Sequence, residues 1–270
     1  MTTSPAKNRY HDAPRAADFT IDQAWDTYSA AEHDRWDRLF LRQREIAKGR
    51  ASEVALKAMA ELELSASGIP NMAELSDKLE KITGWRVVPV AELVPDEIFF
   101  DHLANRRFPA GAFIRPEAEF DYLQEPDIFH DIFGHVPMLA DPVFADFMEA
   151  YGKGGQRAMQ LGQLHNLARL YWYTVEFGLL QEADGIKAYG AGILSGDRLL
   201  VDRAIEPQNG DVVVAAIDGE LTVKRFLRQG RRTALLAANP NYPSIELCEG
   251  QELVVWGVVT FVLHNARGRS

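Results

Sequence analysis

The spacing of apolar residues changes once along the chain, near Ser195, and that change limits what the chain can fold into. Before it, hydrophobic side chains recur every three or four residues, the period of helices that bury one stripe. Ser29-Ala30-Ala31-Glu32 has the form of a capping box, and Trp36, Leu39, Phe40 and Leu41 follow before Gly49 stops the run. Asn71 opens a second helix, with Leu75, Leu79 and Ile82 on one stripe and Gly84 at its end. Trp85 to Val90 reads as a short strand, and Pro95 and Pro142 each start a helix, through Phe99 and Leu103 and through Phe147. Gln163 to Leu180 reads as one long, mostly apolar helix. After Ser195 short β-branched runs take over: Leu199–Val201, Val212–Ile217, Leu221–Phe226, Ala234–Ala238 and Leu253–Leu263, with Asp218-Gly219 placed as a tight hairpin turn. The expected fold is therefore α+β, mostly helical and then all-β. No Pro/Gly/Ser-rich linker marks the change.

Charge follows the same division. Residues 1–195 hold 20 of the 29 basic and 30 of the 39 acidic side chains, a net of −10, while residues 196–270 are neutral. An acidic chain lacks the basic face that nucleic acid requires. No stretch approaches the apolar length of a membrane helix, and MTTSPAKNRYHD lacks the layout of a secretory signal, so a cytoplasmic location is expected. Cys248 is the only cysteine, which excludes an intrachain disulfide framework and a cysteine-rich zinc site. A bound metal must use histidine and carboxylate.

Such donors stand in Glu125-Pro126-Asp127-Ile128-Phe129-His130-Asp131-Ile132-Phe133-Gly134-His135. Five residues along a regular α-helix separate His130 and His135 by about 140°, so they share no α-helical face. A helix ending near Gly134 would turn His135 back toward His130. Further on, Leu170-Tyr171-Trp172-Tyr173-Thr174-Val175-Glu176-Phe177 sets one carboxylate in a densely apolar segment, where it needs a partner. Arg169 or Arg157 could supply that partner. Alternatively, Glu176 completes a two-His, one-carboxylate face of the kind that suits non-haem Fe(II), with zinc as the second choice although HEXXH is absent. Arg115, after Phe113-Ile114 and before Pro116, reads either as a strand-edge charge or as a carboxylate clamp.

From about Phe19 to Ser195 the chain resembles the catalytic core of the bacterial phenylalanine-hydroxylating branch of the pterin-dependent aromatic amino acid hydroxylase family. The runs that carry the likeness are PDEIFFDHLANRRFPAG, DYLQEPDIFHDIFGHVP, PVFADFMEAYGKGG, LARLYWYTVEFG and YGAGILS. The resemblance implies His130, His135 and Glu176 as ligands of Fe(II). It also implies that Phe99 stacks on a tetrahydropterin, with Val94, Asp96, Asp131, Ala168 and Tyr171 around it. Arg115 would hold the carboxylate of L-phenylalanine, Pro126, Trp172 and Phe177 would line the ring pocket, and Ser195 would support His130. The reaction implied is O2-dependent hydroxylation to L-tyrosine.

The family pattern continues past YGAGILS with a pocket-closing tail, and this chain departs from it there. SGDRLLVDRAIEPQNGDVVVAAIDGELTVKRF, ANPNYPSIEL and LVVWGVVTFVLH resemble instead the C-terminal part of the LexA/UmuD-type self-cleaving SOS proteins. Lys224 stands where that family carries its catalytic lysine, but the Gly-Asp-Ser-Met run with the nucleophile is replaced by Gly185-Ile186-Lys187-Ala188-Tyr189. Residues 1–195 thus read as a hydroxylase-like domain without its tail and 196–270 as a LexA/UmuD-like β segment without its nucleophile: a chimera. Impaired hydroxylation, no self-cleavage and homodimerisation through the β segment are expected; the alternative is a non-catalytic fusion whose β segment binds itself or a partner.

Overall fold

The computed structural model describes residues 8–121, 126–195, 199–202, 205–217, 220–229, 232–236, 244–247, 251 and 253–262. The side chains of His165, Asn166, Ala168, Arg169, Trp172 and Tyr173 lie outside that description, as do Cys248, Asp218-Gly219 and residues 237–238 and 263. The backbone divides into two compact units, Met1–Asp197 and Arg198–Ser270.

In the first unit α1 spans Ala30–Ala47, and its Ser29/Glu32 capping box is formed. Its stripe of Trp36, Leu39, Phe40, Gln43 and Ala47 is buried. α2 (Glu53–Glu61) follows, then α3 (Met72–Thr83), capped by the Asn71 side chain and ended by Gly84 at φ 76°, a conformation that favours glycine. β1 (Arg86–Val90), α4 (Asp96–Ala104) and β2 (Arg107–Gly111) form a crossover whose strands pair in parallel, Arg86 opposite Arg107 through Val90 opposite Gly111. α5 spans Pro142–Gln160, and two of its glycines let α4 come close. A β-carbon at Gly152 would meet the Leu103–Ala104 backbone, and one at Gly155 would strike the Phe100 ring.

The expected single helix over Gln163–Leu180 is broken up. α6 covers Leu164–Tyr171, a π-helical turn Trp172–Glu176 follows, and Leu179–Glu182 is already β3, paired antiparallel with β4 (Gly185–Ala188). Apolar period alone cannot distinguish a helix from a helix, a π-turn and a strand laid end to end. α7 (Ala191–Ser195) closes the unit.

The second unit is one antiparallel sheet in the order β5-β10-β6-β7-β8-β9. Its strands are β5 (Leu199–Asp202), β6 (Val212–Ile217), β7 (Glu220–Gln229), β8 (Arg232–Leu236), β9 (Ile245–Glu246) and β10 (Leu253–Val262). β6 and β7 pair with Ile217 opposite Glu220. Val213, Ala215, Ile217, Phe226, Leu235 and Val258 form its core. The molecule is thus helical and then strand-rich, α+β.

Candidate metal centre and its surroundings

His130 and His135 lie on a π-helix, His130–His135, whose i→i+5 bonding is marked by the Val136 amide donating to the Asp131 carbonyl. The helix therefore does not end at Gly134 to bring the histidines together. The wider π turn does it, since residues five apart return to about the same face. Gly134 matters for packing instead. A β-carbon there would lie 2.8 Å from that of Ala191 and 3.1 Å from its carbonyl oxygen, so glycine is what lets α7 pack against the π-helix.

Aromatic packing fixes this helix from below. Trp36 meets Phe129 edge-on at 5.2 Å, Phe40 meets Phe133 at 5.4 Å, and Phe129 and Phe133 stack at 4.9 Å. Asp127, fully buried, accepts from the His130 amide at 3.0 Å and from Arg115 through its amide, Nε and Nη2 at 2.8–2.9 Å. Arg115 lies in the loop after β2, not on a strand edge. Sequence reasoning passed over Asp127. The signal was available, because a carboxylate amid Pro126, Ile128 and Phe129 needs a partner as much as Glu176 does.

Glu176, at the end of the second π-turn, faces both histidines. Its oxygens lie 3.5 Å from His130 Nε2 and 3.0 Å from His135 Nε2. The far side of each ring meets a hydroxyl, His130 Nδ1 at 2.9 Å from Ser195 Oγ and His135 Nδ1 at 3.4 Å from Tyr171 Oη. Two Nε2 atoms and a carboxylate thus converge while the two Nδ1 atoms are oriented from outside, an arrangement suited to a divalent cation. Asp131 brings a second carboxylate close: a ligand atom each from His130, Asp131 and His135 lie within 4.8 Å of one another, and Asp131 Oδ2 accepts from the Gly111 amide at 2.7 Å.

The electrostatics describe a site that holds positive charge. Burial disfavours charge on His130, but the neighbouring Glu176 carboxylate, with Asp131 and Asp127 behind it, raises that imidazole to about 9. Burial likewise opposes charge on Glu176, yet His135 and His130 hold its carboxyl well below the usual range. Burial pushes Asp131 up to about 6 against the pull of both histidines. A cation would take over the role these protons play.

The remaining expected residues fall as follows. Phe99 meets Tyr171 edge-on at 5.4 Å, and the Tyr171 ring lies 5.8 Å from that of His135, so Phe99, Tyr171, His135 and Asp131 form one wall. Val94, half-buried, and Asp96, exposed, flank the start of α4, which carries Phe99. Phe177 is partly exposed, with its ring against Gly192 of α7. Pro126, half-buried, lies with its carbonyl beside Gly111. The Ala168 and Trp172 side chains lie outside the described residues. Lys224 is half-buried on β7 opposite Val213, in the second unit.

Residues 9–205 match the model of the family described as biopterin-dependent aromatic amino acid hydroxylase. The chain belongs to this family. Among its relatives, the phenylalanine-4-hydroxylase of Caulobacter vibrioides is 62% identical over 178 residues, which cover 66% of this chain and 60% of that protein. That of Chromobacterium violaceum is 51% identical over 195 residues, 72% of this chain and 65% of the relative. A crystal structure of the Chromobacterium violaceum enzyme with bound iron(III) and 7,8-dihydrobiopterin aligns with TM-score 0.66 at 53% identity, covering 68% of this chain and 67% of the other. Another, with iron and phenylalanine, aligns with TM-score 0.65 at 50% identity, covering 68% of this chain and 66% of that one. The chain therefore spans about 60–65% of the length of these two curated hydroxylases. Residues 184–260 match a second family, peptidase S24-like, overlapping the hydroxylase match at 184–205. A hydroxylase-family region is joined to an S24-like one. No helix among the described residues is long and apolar enough to cross a membrane.

Proposed function

We propose that the chain is a cytoplasmic Fe(II)- and tetrahydropterin-dependent monooxygenase that converts L-phenylalanine to L-tyrosine, with its metal held by His130, His135 and Glu176. The observation that carries this reading is the convergence of two Nε2 atoms and one carboxylate on facing π-helical segments. It is supported by membership of the family and by relatives that bind iron, dihydrobiopterin and phenylalanine. Fe(II) and the pterin, when bound, supply O2 activation and two electrons.

The chain's own side chains position and enclose the reactants. Phe99 offers its ring face to the pterin, with Val94, Asp96, Asp131, Ala168 and Tyr171 around it. Arg115, held by Asp127, offers its guanidinium to the substrate carboxylate, while Pro126, Trp172 and Phe177 bound the aromatic ring. The buried Ile132, Phe133 and Val136 keep water from the back of the site. Because the sequence beyond residue 205 follows the S24-like pattern, we expect weak phenylalanine affinity and pterin oxidation poorly coupled to hydroxylation. Tyrosine formation by Fe(II)-loaded protein that requires both pterin and O2 tests the activity. Absence of tyrosine from iron-loaded protein would leave a metal-binding remnant.

The S24-like match favours a second reading, in which the β unit is a self-association module without peptidase activity. Solution mass of the full chain decides the association, and a concentration-independent monomer ends it. Intact mass after alkaline incubation checks the absence of cleavage, which fragments abolished by Lys224→Ala would contradict.

A further inference from the structure

We propose that Gln43 is a positioning residue for the metal centre, acting on His130 through Ser195. The inference rests on the reading of His130 as a ligand. Gln43 interrupts the apolar stripe of α1 between Phe40 and Ala47, and it is only 2% exposed. A buried amide costs free energy unless it is hydrogen-bonded, whereas leucine there would continue the stripe at no such cost. The amide has a specific acceptor: Gln43 Nε2 donates to the Ser195 carbonyl at 3.1 Å, across 152 residues of sequence.

That carbonyl is the last of α7, one that no intrahelical amide can reach. Gln43 therefore fastens the end of α7 to α1. The hydroxyl of the same Ser195 lies 2.9 Å from His130 Nδ1. Ser195 is itself 5% exposed, so water competes weakly for either bond. For His130 to present Nε2 as a lone pair, Nδ1 must carry the proton and donate it in a hydrogen bond that Ser195 Oγ accepts. Where Oγ stands depends on the Ser195 main chain, and in α7 that main chain is gripped through its carbonyl by Gln43. His135, oriented instead by Tyr171 of α6, lies outside this relay.

Co(II) is the probe, loaded into the full-length protein and read by its visible ligand-field bands and its dissociation rate into excess chelator. Gln43→Met keeps the volume and removes the donor. It should speed Co(II) release by about 3–10-fold and shift the bands, a smaller effect than the roughly 10–100-fold typical of a direct partner of a ligand. In a Ser195→Ala background, the Gln43→Met substitution should add nothing to release, although its effect on the melting temperature of the metal-free protein persists. Packing alone would give equal increments in both backgrounds, and that result overturns the proposal, as does a parent-like spectrum and rate in Gln43→Met. Should the Met variant fail to fold, Gln43→Asn, one methylene too short to reach the carbonyl, carries the same expectations. Failure of the parent to bind Co(II), or Co(II) binding unaltered by both His135→Ala and Glu176→Ala, overturns the metal reading and this inference with it. Normal parent binding with unaffected Gln43 variants overturns only the role of Gln43.

Discussion

At Gly134 a single added atom would disturb the packing behind the histidines. Adding one β-carbon would force it to within 3.0 Å of the Ala191 main chain, which has no flexible end to swing aside. Gly134→Ala should therefore destabilise the first unit by about 1–3 kcal/mol and weaken metal binding, because α7 carries Ser195. Thermal unfolding with and without Co(II) measures both, and an unchanged melting temperature would count against the close approach. His102 sets a pH dependence. It is fully buried, and Nε2 must donate to the Asp18 carbonyl at 2.8 Å, which leaves Nδ1 as a bare acceptor with no partner among the described residues. Burial above all lowers its folded pKa below 6.5, so the neutral ring is favoured in the fold. Above 6.5 both states are neutral and the contribution is present; below it the unfolded chain takes up a proton that the fold resists, and stability falls. The melting temperature should drop more steeply from about pH 7 to about pH 5 in the parent than in His102→Gln. Equal slopes would refute this.

At the scale of elements, the two π-helical segments do what a regular α-helix cannot. One sets ligands five residues apart on a common face; the other ends on the carboxylate that meets them. α1 is the seat for the first, through Trp36 and Phe40, and its start is fixed by the capping box. Ser29→Ala should cost about 1 kcal/mol, read as a shift of the chemical-denaturation midpoint. Burial opposes the charge on Glu32, but bonds from the Ser29 amide and hydroxyl and from Arg9 prevail and lower its pKa from 4.5. The Glu32 half of the cap is therefore at full strength above 4.5 and is lost as pH falls through the lower folded value, while the Glu32 amide still donates to Ser29 Oγ. A midpoint that does not move in Ser29→Ala would show that packing alone holds the start of α1. The starts of α1 and α3 were legible because caps are local chemistry. The π segments were not, since their extra residue per turn is fixed by what the ligands and Gly134 pack against.

Across the whole molecule, each unit has a core of its own. Phe226 is the largest fully buried side chain of the second core among the described residues. Phe226→Ala should lower the stability of the β unit by about 3–5 kcal/mol, enough to unfold it if its own stability is of that order. Calorimetry should then lose one transition while Co(II) binding by the first unit persists. Loss of metal binding together with the β transition would mean that the units do not melt independently.

The order of helical and β regions, the caps of α1 and α3 and the residue types able to bind a metal can be read from the residues alone, because period, capping and donor chemistry are local properties. It carried the family as well, in long runs such as DYLQEPDIFHDIFGHVP. That a π turn brings His130 and His135 together, that Glu176 meets both histidines, that Asp127 holds Arg115 and that Gln43 reaches Ser195 was settled by packing between segments distant in sequence. Each of those outcomes depends on which distant groups share a buried space, where an unpaired polar atom is costly enough to select its partner.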